Sequence, residues 1–230
     1  TPPPPPIPLR LVGSEMCIRD RLMISLCKIL PLLGIMLLTC NCSSIRTSGE
    51  KIVGSGNDQR LSLIGREGPI KTYPISTSKY GLGSQPNSYK TPLGKMYVCK
   101  KIGAGARSGT VFKSRRPTGE VVRPNSPGRD PIISRIIWLE GLERYNRNTK
   151  ERLIYIHGTP EERTIGSPTS YGCVRMRSRD IIDLYDRIRV GTRVYIKRGQ
   201  LTAAEVPLAS RFITSSAQSF GQRLGLFGIR

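Results

Sequence analysis

Alternating apolar and polar residues, interrupted by glycine, proline and serine, are the main pattern in residues 58–198. Residues 59–64 and 70–76 alternate in this way and are joined by the turn-forming sequence GREGP, which predicts a two-stranded hairpin. Residues 80–92 are rich in glycine, serine, asparagine and proline and predict a loop, whereas residues 103–131, with several glycines and prolines, predict a long irregular crossing or a short hairpin. Further strands are predicted at residues 95–102, 132–139, 153–157 and 193–196.

A change of period in the next stretch predicts one helix, over residues 178–189. Ser178 can cap its first turn, and Gly191 ends it. Its apolar residues recur at spacings of three and four, at Ile181, Ile182, Leu184, Tyr185 and Ile188. The pattern as a whole therefore predicts a mainly β fold with a single helix.

Amino-acid composition and net charge exclude several classes of fold and of binding partner. The 24 glycines and 18 prolines argue against a helical bundle and against a long coiled coil. The 37 Lys and Arg against 16 Asp and Glu give a net charge of +21, which attracts polyanions. The basic residues are scattered, and no zinc-finger, helix-turn-helix or RNA-binding motif accompanies them, so we expect no nucleic-acid partner. A basic surface beside the carboxylate-rich or phosphate-rich polymers of a cell envelope fits the charge at least as well.

The N-terminal residues predict export. Residues 1–22 begin with a proline tract and are expected to be a non-native or disordered extension. Residues 23–42 carry one lysine and then an apolar stretch of signal-peptide length, too short to span a membrane. The sequence LLTC resembles a bacterial lipoprotein cleavage site and makes Cys40 a candidate for lipid attachment. The alternative is ordinary signal cleavage nearby. Residues 43–57 are expected to be a linker, and residues 199–230 a flexible tail.

The number and positions of the cysteines and the histidine limit the kinds of metal or catalytic site that the chain can form. Of the six cysteines, only Cys99 and Cys173 lie in the body of the chain, and no CxxC pair exists to hold zinc. The only histidine is His157, which excludes sites with several histidine ligands, so we expect no metal and no cofactor. Cys99 lies in the alternating stretch MYVCK and is expected to be a buried apolar residue.

Cys173 and His157 are in a different setting. Cys173 follows Gly172 in a polar turn, and an unpaired thiol in an exported protein suggests a use for it. His157 ends an apolar strand, and the 15 residues between it and Cys173 allow the chain to bring thiol and imidazole together. A thiolate made by an adjacent base, beside main-chain N–H groups, is the arrangement that thiol catalysis needs. The alternative is that each residue packs in the core.

The stretch HGTPEERTIGSPTSYGCVRM, residues 157–176, resembles the signature of the L,D-transpeptidase catalytic domain of the YkuD type. That pattern is His-Gly, a spacer, then Ser/Thr-His-Gly-Cys followed by an apolar residue and Arg or Asn. The resemblance includes the segment TPLGKMYV and covers roughly residues 58–198. It departs at Tyr171, where the family most often has a second histidine.

The resemblance implies roles for the matching residues. Cys173 would be the nucleophile, His157 the general base, and the carbonyl of Gly158 would orient the imidazole. Main-chain N–H groups of Tyr171, Gly172 and Cys173 would bind the oxyanion. Two further residues would serve the substrate: Ser170 would support the turn, and Arg175 would help to hold a substrate carboxylate.

The resemblance also implies a fold, a reaction and a place. The fold would be a β-sandwich with one helix after the catalytic cysteine. The donor would be a peptidoglycan tetrapeptide stem, whose acyl group passes through a thioester to a stem amine, a lysine of an envelope protein, or water. The protein would act in the periplasm or cell envelope, with a membrane contact only through a lipid anchor. The alternative is an inactive, peptidoglycan-binding envelope lipoprotein, which the departure at Tyr171 leaves open.

Overall fold

The computed structural model describes residues 49–208, which form ten strands, one α-helix and three short 3-10 turns. The elements are β1 Lys51–Ser55, β2 Arg60–Gly65, β3 Gly68–Pro74, β4 Gly94–Ile102, β5 Thr110–Lys113, β6 Arg116–Val121, β7 Ile132–Gly141, β8 Tyr155–Gly158, β9 Val174–Met176, α1 Ser178–Arg187 and β10 Arg193–Lys197. The 3-10 turns are Arg147–Thr149, Glu162–Thr164 and Ala203–Glu205. The predicted class, mainly β with one helix after Cys173, is confirmed.

All ten strands belong to one hydrogen-bonded sheet in the order β3-β2-β1-β10-β4-β7-β5-β6, with β8 paired to β7 and β9 paired to β8. The pairs β1/β10 and β8/β9 are parallel, and the others are antiparallel. The sheet closes on itself. Ser76, just after β3, exchanges two 2.9 Å main-chain hydrogen bonds with Arg175 in β9. The two faces of the expected sandwich are therefore linked into a single sheet, which encloses a large hydrophobic cluster and a smaller one around Phe112, Ile136 and Tyr155.

The core is filled from nearly every strand and from the helix. Ile52 of β1, Met96 of β4, Ile156 of β8 and Leu184 of α1 are all fully buried in one cluster. Burial of such side chains contributes roughly 1.5–3 kcal/mol each. The helix buries one face against β7 and β8 and thereby supports the strands that lead to Cys173 and His157. Within residues 49–208, no helix is long and apolar enough to cross a bilayer.

Two segments that were expected to lie outside the catalytic domain, residues 51–55 and 201–205, are hydrogen-bonded to it. Residues 51–55, placed in the expected linker, form β1 and lie between β2 and β10. The stretch KIVGS is short and contains a glycine, so its pattern alone did not indicate a strand. Residues 201–205, placed in the expected tail, are fixed by a 2.6 Å hydrogen bond from Leu201 N–H to Asp58 and by the ion pair Lys197–Glu205.

Smaller corrections concern single residues. Cys99 is only partly buried, because it lies on the same face of β4 as Lys95 and Tyr97, whereas Met96 and Val98 alternate with it and face the core. The helix is capped without a side-chain hydrogen bond from Ser178, and it ends at Arg187. The expectations for residues 1–22, for the signal segment 23–42 with Cys40, and for residues 209–230 lie outside the described residues.

Candidate active site

His157 is near the end of β8 and is buried, with 6% of its surface exposed. Its Nδ1 lies 2.8 Å from the carbonyl oxygen of Gly158. A carbonyl can only accept, so Nδ1 carries the proton and donates, which leaves Nε2 as an acceptor. Burial lowers the pKa of His157, so the imidazole is neutral at pH 7. A neutral imidazole with a free acceptor nitrogen can take a proton.

Gly158 is required by close packing. A Cβ atom at this position would lie 2.6 Å from the carbonyl oxygen of Ile133 in β7 and 3.2 Å from Cγ2 of Ile181 in α1. Any larger residue would push β8 away from β7 and from the helix. The same tight contact holds the Gly158 carbonyl where the imidazole meets it.

The turn before Cys173 depends on Gly172 and Ser170. Gly172 has a φ of +121°, a conformation that other residues rarely adopt. The Ser170 hydroxyl donates to the Cys173 carbonyl at 2.5 Å and accepts from the Gly172 N–H at 3.3 Å. The Ser170 hydroxyl thus connects both sides of the turn, in the position that the resemblance implied for it. The Gly172 N–H, expected to face an oxyanion, is directed at this hydroxyl over a long hydrogen bond.

The Cys173 thiol is held by main-chain groups. Its Sγ accepts from the Tyr155 N–H and donates to the Leu153 carbonyl, each at 3.5 Å. Burial raises the pKa of the Cys173 thiol to about 11, and the Tyr155 N–H and the Arg152 charge only partly offset this. The thiol is therefore protonated at neutral pH, and its use as a nucleophile requires a base.

Cys173 and His157 line one cavity of about 160 Å³, together with Asp130, Ile132, Ser170, Tyr171 and Arg175. The parallel pairing of β8 with β9 brings them there, because Cys173 comes immediately before the residue that pairs with Ile156. Among residues 49–208, the hydrogen-bond partners of the thiol are the two main-chain groups named above, so the imidazole is not yet one of them. Proton transfer requires the S–H hydrogen to turn away from the Leu153 carbonyl and towards the imidazole.

Arg175 is buried, with 4% of its surface exposed, and is already paired. Its Nη1 forms ion pairs with Asp130 and Glu161, and its Nη2 donates to the hydroxyls of Thr164 and Thr169. The sequence suggested that Arg175 binds a substrate carboxylate. In the structure the guanidinium is instead paired with two carboxylates of the protein itself, in the place expected for a substrate carboxylate. It thereby connects the loop of Asp130 with the loop of Glu161.

Two residues of the site were missed by sequence reasoning. Asp130 accepts from Arg175 and from the Thr159 hydroxyl and lines the cavity. It is one of two acidic residues in the glycine- and proline-rich stretch 103–131, and this is the signal that could have indicated it. Arg152 donates to the Lys90 carbonyl at 2.6 Å, and its charge favours the Cys173 thiolate. Within the described part of the chain, no group of three or more His, Cys, Asp or Glu residues could hold a metal ion.

Known proteins resemble this chain in sequence over part of their length. The chain is 46% identical over 138 residues to YkuD of Bacillus subtilis (strain 168), which covers 60% of this chain and 58% of the relative. It is 40% identical over 80 residues to YbiS of Escherichia coli (strain K12), which covers 32% of this chain and 26% of the relative. The chain thus spans about a quarter of the E. coli relative and somewhat over half of the B. subtilis relative.

Solved structures give a weaker likeness. An L,D-transpeptidase from Mycobacterium tuberculosis H37Rv aligns with a TM-score of 0.42 and 17% identity, over 65% of this chain and 58% of that chain. The LD transpeptidase LdtMt1 in complex with imipenem aligns with a TM-score of 0.41 and 17% identity, over 65% and 59%. A family model described as the L,D-transpeptidase catalytic domain matches residues 49–196, more than half of the chain. This chain belongs to the L,D-transpeptidase catalytic domain family.

Proposed function

We propose that this chain is a peptidoglycan L,D-transpeptidase that transfers an acyl group from a tetrapeptide stem to an amine through a cysteine thioester. The observation that carries the proposal is the pair His157 and Cys173 in one cavity, with the imidazole neutral and its Nδ1 held by the Gly158 carbonyl. The stem substrate is carried over from the family resemblance.

Acylation follows from the state of the two groups. Nε2 of His157 takes the proton from the Cys173 thiol, and the thiolate attacks the carbonyl carbon of the third stem residue. The developing oxyanion accepts hydrogen bonds from the main-chain N–H groups of Tyr171 and Cys173, and from that of Gly172 once it leaves the Ser170 hydroxyl, to which it donates at 3.3 Å in the resting site. The C–N bond then breaks, the imidazolium gives its proton to the leaving amine, and D-alanine departs from the thioester.

Deacylation reverses the proton path. The amine of a second stem attacks the thioester carbonyl, and His157 takes the proton that the nitrogen loses. The C–S bond breaks, the proton returns to the sulfur of Cys173, and an amide cross-link remains. A lysine of an envelope protein would be joined in the same way, whereas water as acceptor would make the enzyme a carboxypeptidase.

The pKa of the thiol explains why the imidazole is needed. With its pKa raised to about 11, Cys173 is almost entirely in the thiol form at pH 7. An ion pair of thiolate and imidazolium is therefore not the resting state. The base must act when the substrate has arrived, which ties thiol activation to substrate binding.

The place of action follows from the substrate. Peptidoglycan lies in the cell envelope, so the chain acts there, and the predicted signal segment 23–42 with Cys40 as lipid attachment site would deliver it to the periplasmic side of a membrane. The charge of +21 fits work beside anionic envelope polymers. The inactive-binder alternative has no observation in its favour, since both reacting side chains line the cavity.

The test is covalent modification of Cys173. Incubation with a carbapenem, a β-lactam class that acylates this family, is expected to add one ligand mass to the protein, and Cys173→Ser is expected to abolish the addition. Cys99→Ser is the matched control and should leave it unchanged. Incubation with purified tetrapeptide stems should release D-alanine and yield cross-linked dimers. A protein that binds peptidoglycan but is modified by neither reagent would overturn the proposal.

A further inference from the structure

Three exposed tyrosines form a cluster beside the catalytic cavity. Tyr80, Tyr89 and Tyr171 are 47%, 59% and 63% exposed. Their ring centroids are 5.9 Å apart for Tyr80–Tyr89, 5.8 Å for Tyr80–Tyr171 and 6.4 Å for Tyr89–Tyr171. We call this cluster the tyrosine platform. Large aromatic side chains gathered on a surface commonly mark a binding site, whereas single exposed ones need no explanation.

The rings are tilted or edge-on to one another, and each side chain stays about half exposed, so part of every ring is open to solvent. Interplanar angles are 41° for Tyr80–Tyr89, 57° for Tyr80–Tyr171 and 88° for Tyr89–Tyr171. Such pairs stabilise each other through the negative face and positive edge of each ring. An incoming group with weakly positive C–H bonds finds the same negative faces. Tyr171 also lines the cavity of Cys173, so the platform begins at the rim of the site.

The backbone under the platform is strained and firmly held. Tyr89 has a φ of +54°, which is uncommon for a bulky residue and costs free energy. Its carbonyl accepts from the Ser78 hydroxyl at 2.5 Å, and the next carbonyl, that of Lys90, accepts from Arg152 at 2.6 Å. The fold therefore maintains a ring at a position where asparagine or glycine would fit the backbone better.

Lys79 adds a charge to the platform. Its Nζ donates to the Tyr171 hydroxyl at 2.9 Å and lies 4.3 Å from the centre of that ring. It also lies 5.3 Å from the centre of the Tyr80 ring. Cation–π contact of this kind holds the rings in place and leaves further ammonium donors free for a ligand.

The size of the cavity indicates what the platform is for. A volume of about 160 Å³ is below the usual range of roughly 300–1,000 Å³ for sites that enclose a drug-sized ligand. It accommodates the reacting end of a stem and little more. The rest of the substrate must lie over the rim, where the platform is. Three extended stem residues span roughly 10 Å, so the sugar that carries the stem lies within reach of rings that start two residues from Cys173.

We propose that the tyrosine platform binds the N-acetylated sugar rings of the glycan strand that carries the donor stem. This inference rests on the proposed function and names the part of the substrate that the cavity does not hold. A pyranose ring presents a flat face of C–H bonds that stacks on an aromatic face. Its hydroxyl and acetamido groups can pair with the tyrosine hydroxyls and with Lys79. The enzyme therefore recognises a stem on its glycan better than a free stem.

The kinetic test compares two donors, a free tetrapeptide and the same tetrapeptide attached to its disaccharide. The wild type is expected to show a KM for the disaccharide donor about tenfold below that for the free peptide, with similar kcat. Tyr80→Ala and Tyr89→Asn should each raise only the KM for the disaccharide donor, by about three- to tenfold. Tyr80→Phe, which keeps the ring, should retain most of the preference. Tyr195→Ala is the control, because Tyr195 is also exposed but lies on β10 outside the platform.

A binding test separates this inference from the proposed function. Titration of an N-acetylglucosamine tetramer into the Cys173→Ala chain requires no catalysis, and its affinity should fall several-fold in Tyr89→Asn. Since asparagine suits the left-handed backbone, this variant is expected to keep its thermal stability. Sugar binding without any thioester would overturn the proposed function alone. Equal losses on both donors, or no loss in either test, would overturn the platform as a sugar site.

Discussion

Arg175 stands directly opposite His157 in the parallel pairing of β8 with β9, and its charge is paired with Asp130 and Glu161. Burial has the largest effect on the pKa of His157 and lowers it. Of the two neighbouring charges, the Asp130 carboxylate raises this pKa and the Arg175 guanidinium lowers it. The two charges of this ion pair therefore act on the pKa of His157 in opposite directions. The ion pair also joins both sides of the cavity, which makes it a structural element of the site.

The first prediction is that Arg175→Gln destabilises the protein by about 3 kcal/mol, because it leaves Asp130 without its buried partner. Urea unfolding measures this loss. Arg179→Gln is the matched control: Arg179 is exposed and contacts Asp180 only at 3.5 Å, so the change should stay below about 0.5 kcal/mol. A stable Arg175→Gln protein that loses only substrate affinity would instead make Arg175 a substrate ligand.

The second prediction concerns the resting thiol. Because the pKa of Cys173 is about 11 and the thiol contacts main-chain groups, its alkylation by iodoacetamide should rise about tenfold per pH unit from pH 7 to pH 10. His157→Ala should leave this profile unchanged while abolishing acylation by a carbapenem. Peptide mass spectrometry follows Cys173 separately from Cys99. A rate that levels off near pH 7 would reveal a preformed thiolate–imidazolium pair.

The third prediction concerns the turn. Gly172→Ala forces a side chain into a φ of +121° and towards Ile154 Cδ1 at 3.2 Å, so the turn must shift. A shift of this kind is expected to lower the acylation rate by about 100-fold. Gly191→Ala also has a positive φ, of +90°, but meets nothing within 4 Å, and it lies outside the site. It should cost about 1 kcal/mol of stability and leave acylation intact. Equal acylation rates in the two variants would contradict this assignment.

The fourth prediction concerns stability in acid. Burial alone would raise the pKa of Asp183, but hydrogen bonds from Tyr73, Lys71 and Arg187 outweigh it and lower the pKa from 3.8 to about 2. A depressed pKa contributes stability above the unfolded value, and that stability disappears as the pH falls through about 2. Wild type should exceed Asp183→Asn by about 2 kcal/mol at pH 6, and the difference should vanish near pH 2.

Urea unfolding of both proteins across this pH range measures the difference. Asp186→Asn is the control on the same helix, since Asp186 is exposed, and it should change stability by less than about 0.5 kcal/mol at any pH. A constant difference between wild type and Asp183→Asn from pH 6 to pH 2 would show that the carboxylate charge is not the stabilising element.

The sequence predicted the elements whose signal is local. Alternation indicated β2, β3 and β4, an apolar run indicated β7, and a period of three to four indicated the helix. The pair His157 and Cys173 was found because each has a distinctive neighbouring glycine. These features depend on residues within one turn or one strand, so a pattern can express them.

What the sequence missed depends on distant residues. The pairing of Ser76 with Arg175 joins parts of the chain that no local pattern connects. The neutralisation of Arg175 depends on Asp130 and Glu161, which lie in two different loops. The tyrosine platform likewise combines one loop with the catalytic turn. Only the closed sheet brings these residues together, and the alternation of single strands does not contain that information.

The atoms that hold the two reacting side chains belong to the main chain. The Tyr155 N–H and the Leu153 carbonyl hold the thiol, and the Gly158 carbonyl holds the imidazole. A substitution at Leu153 or Tyr155 changes a side chain but leaves these donors and acceptors in place. The exposed side chain of Leu153 can therefore vary without loss of the chemistry, whereas Tyr155 is restricted by its packing in the core, and Gly158 and Gly172 by space and backbone conformation.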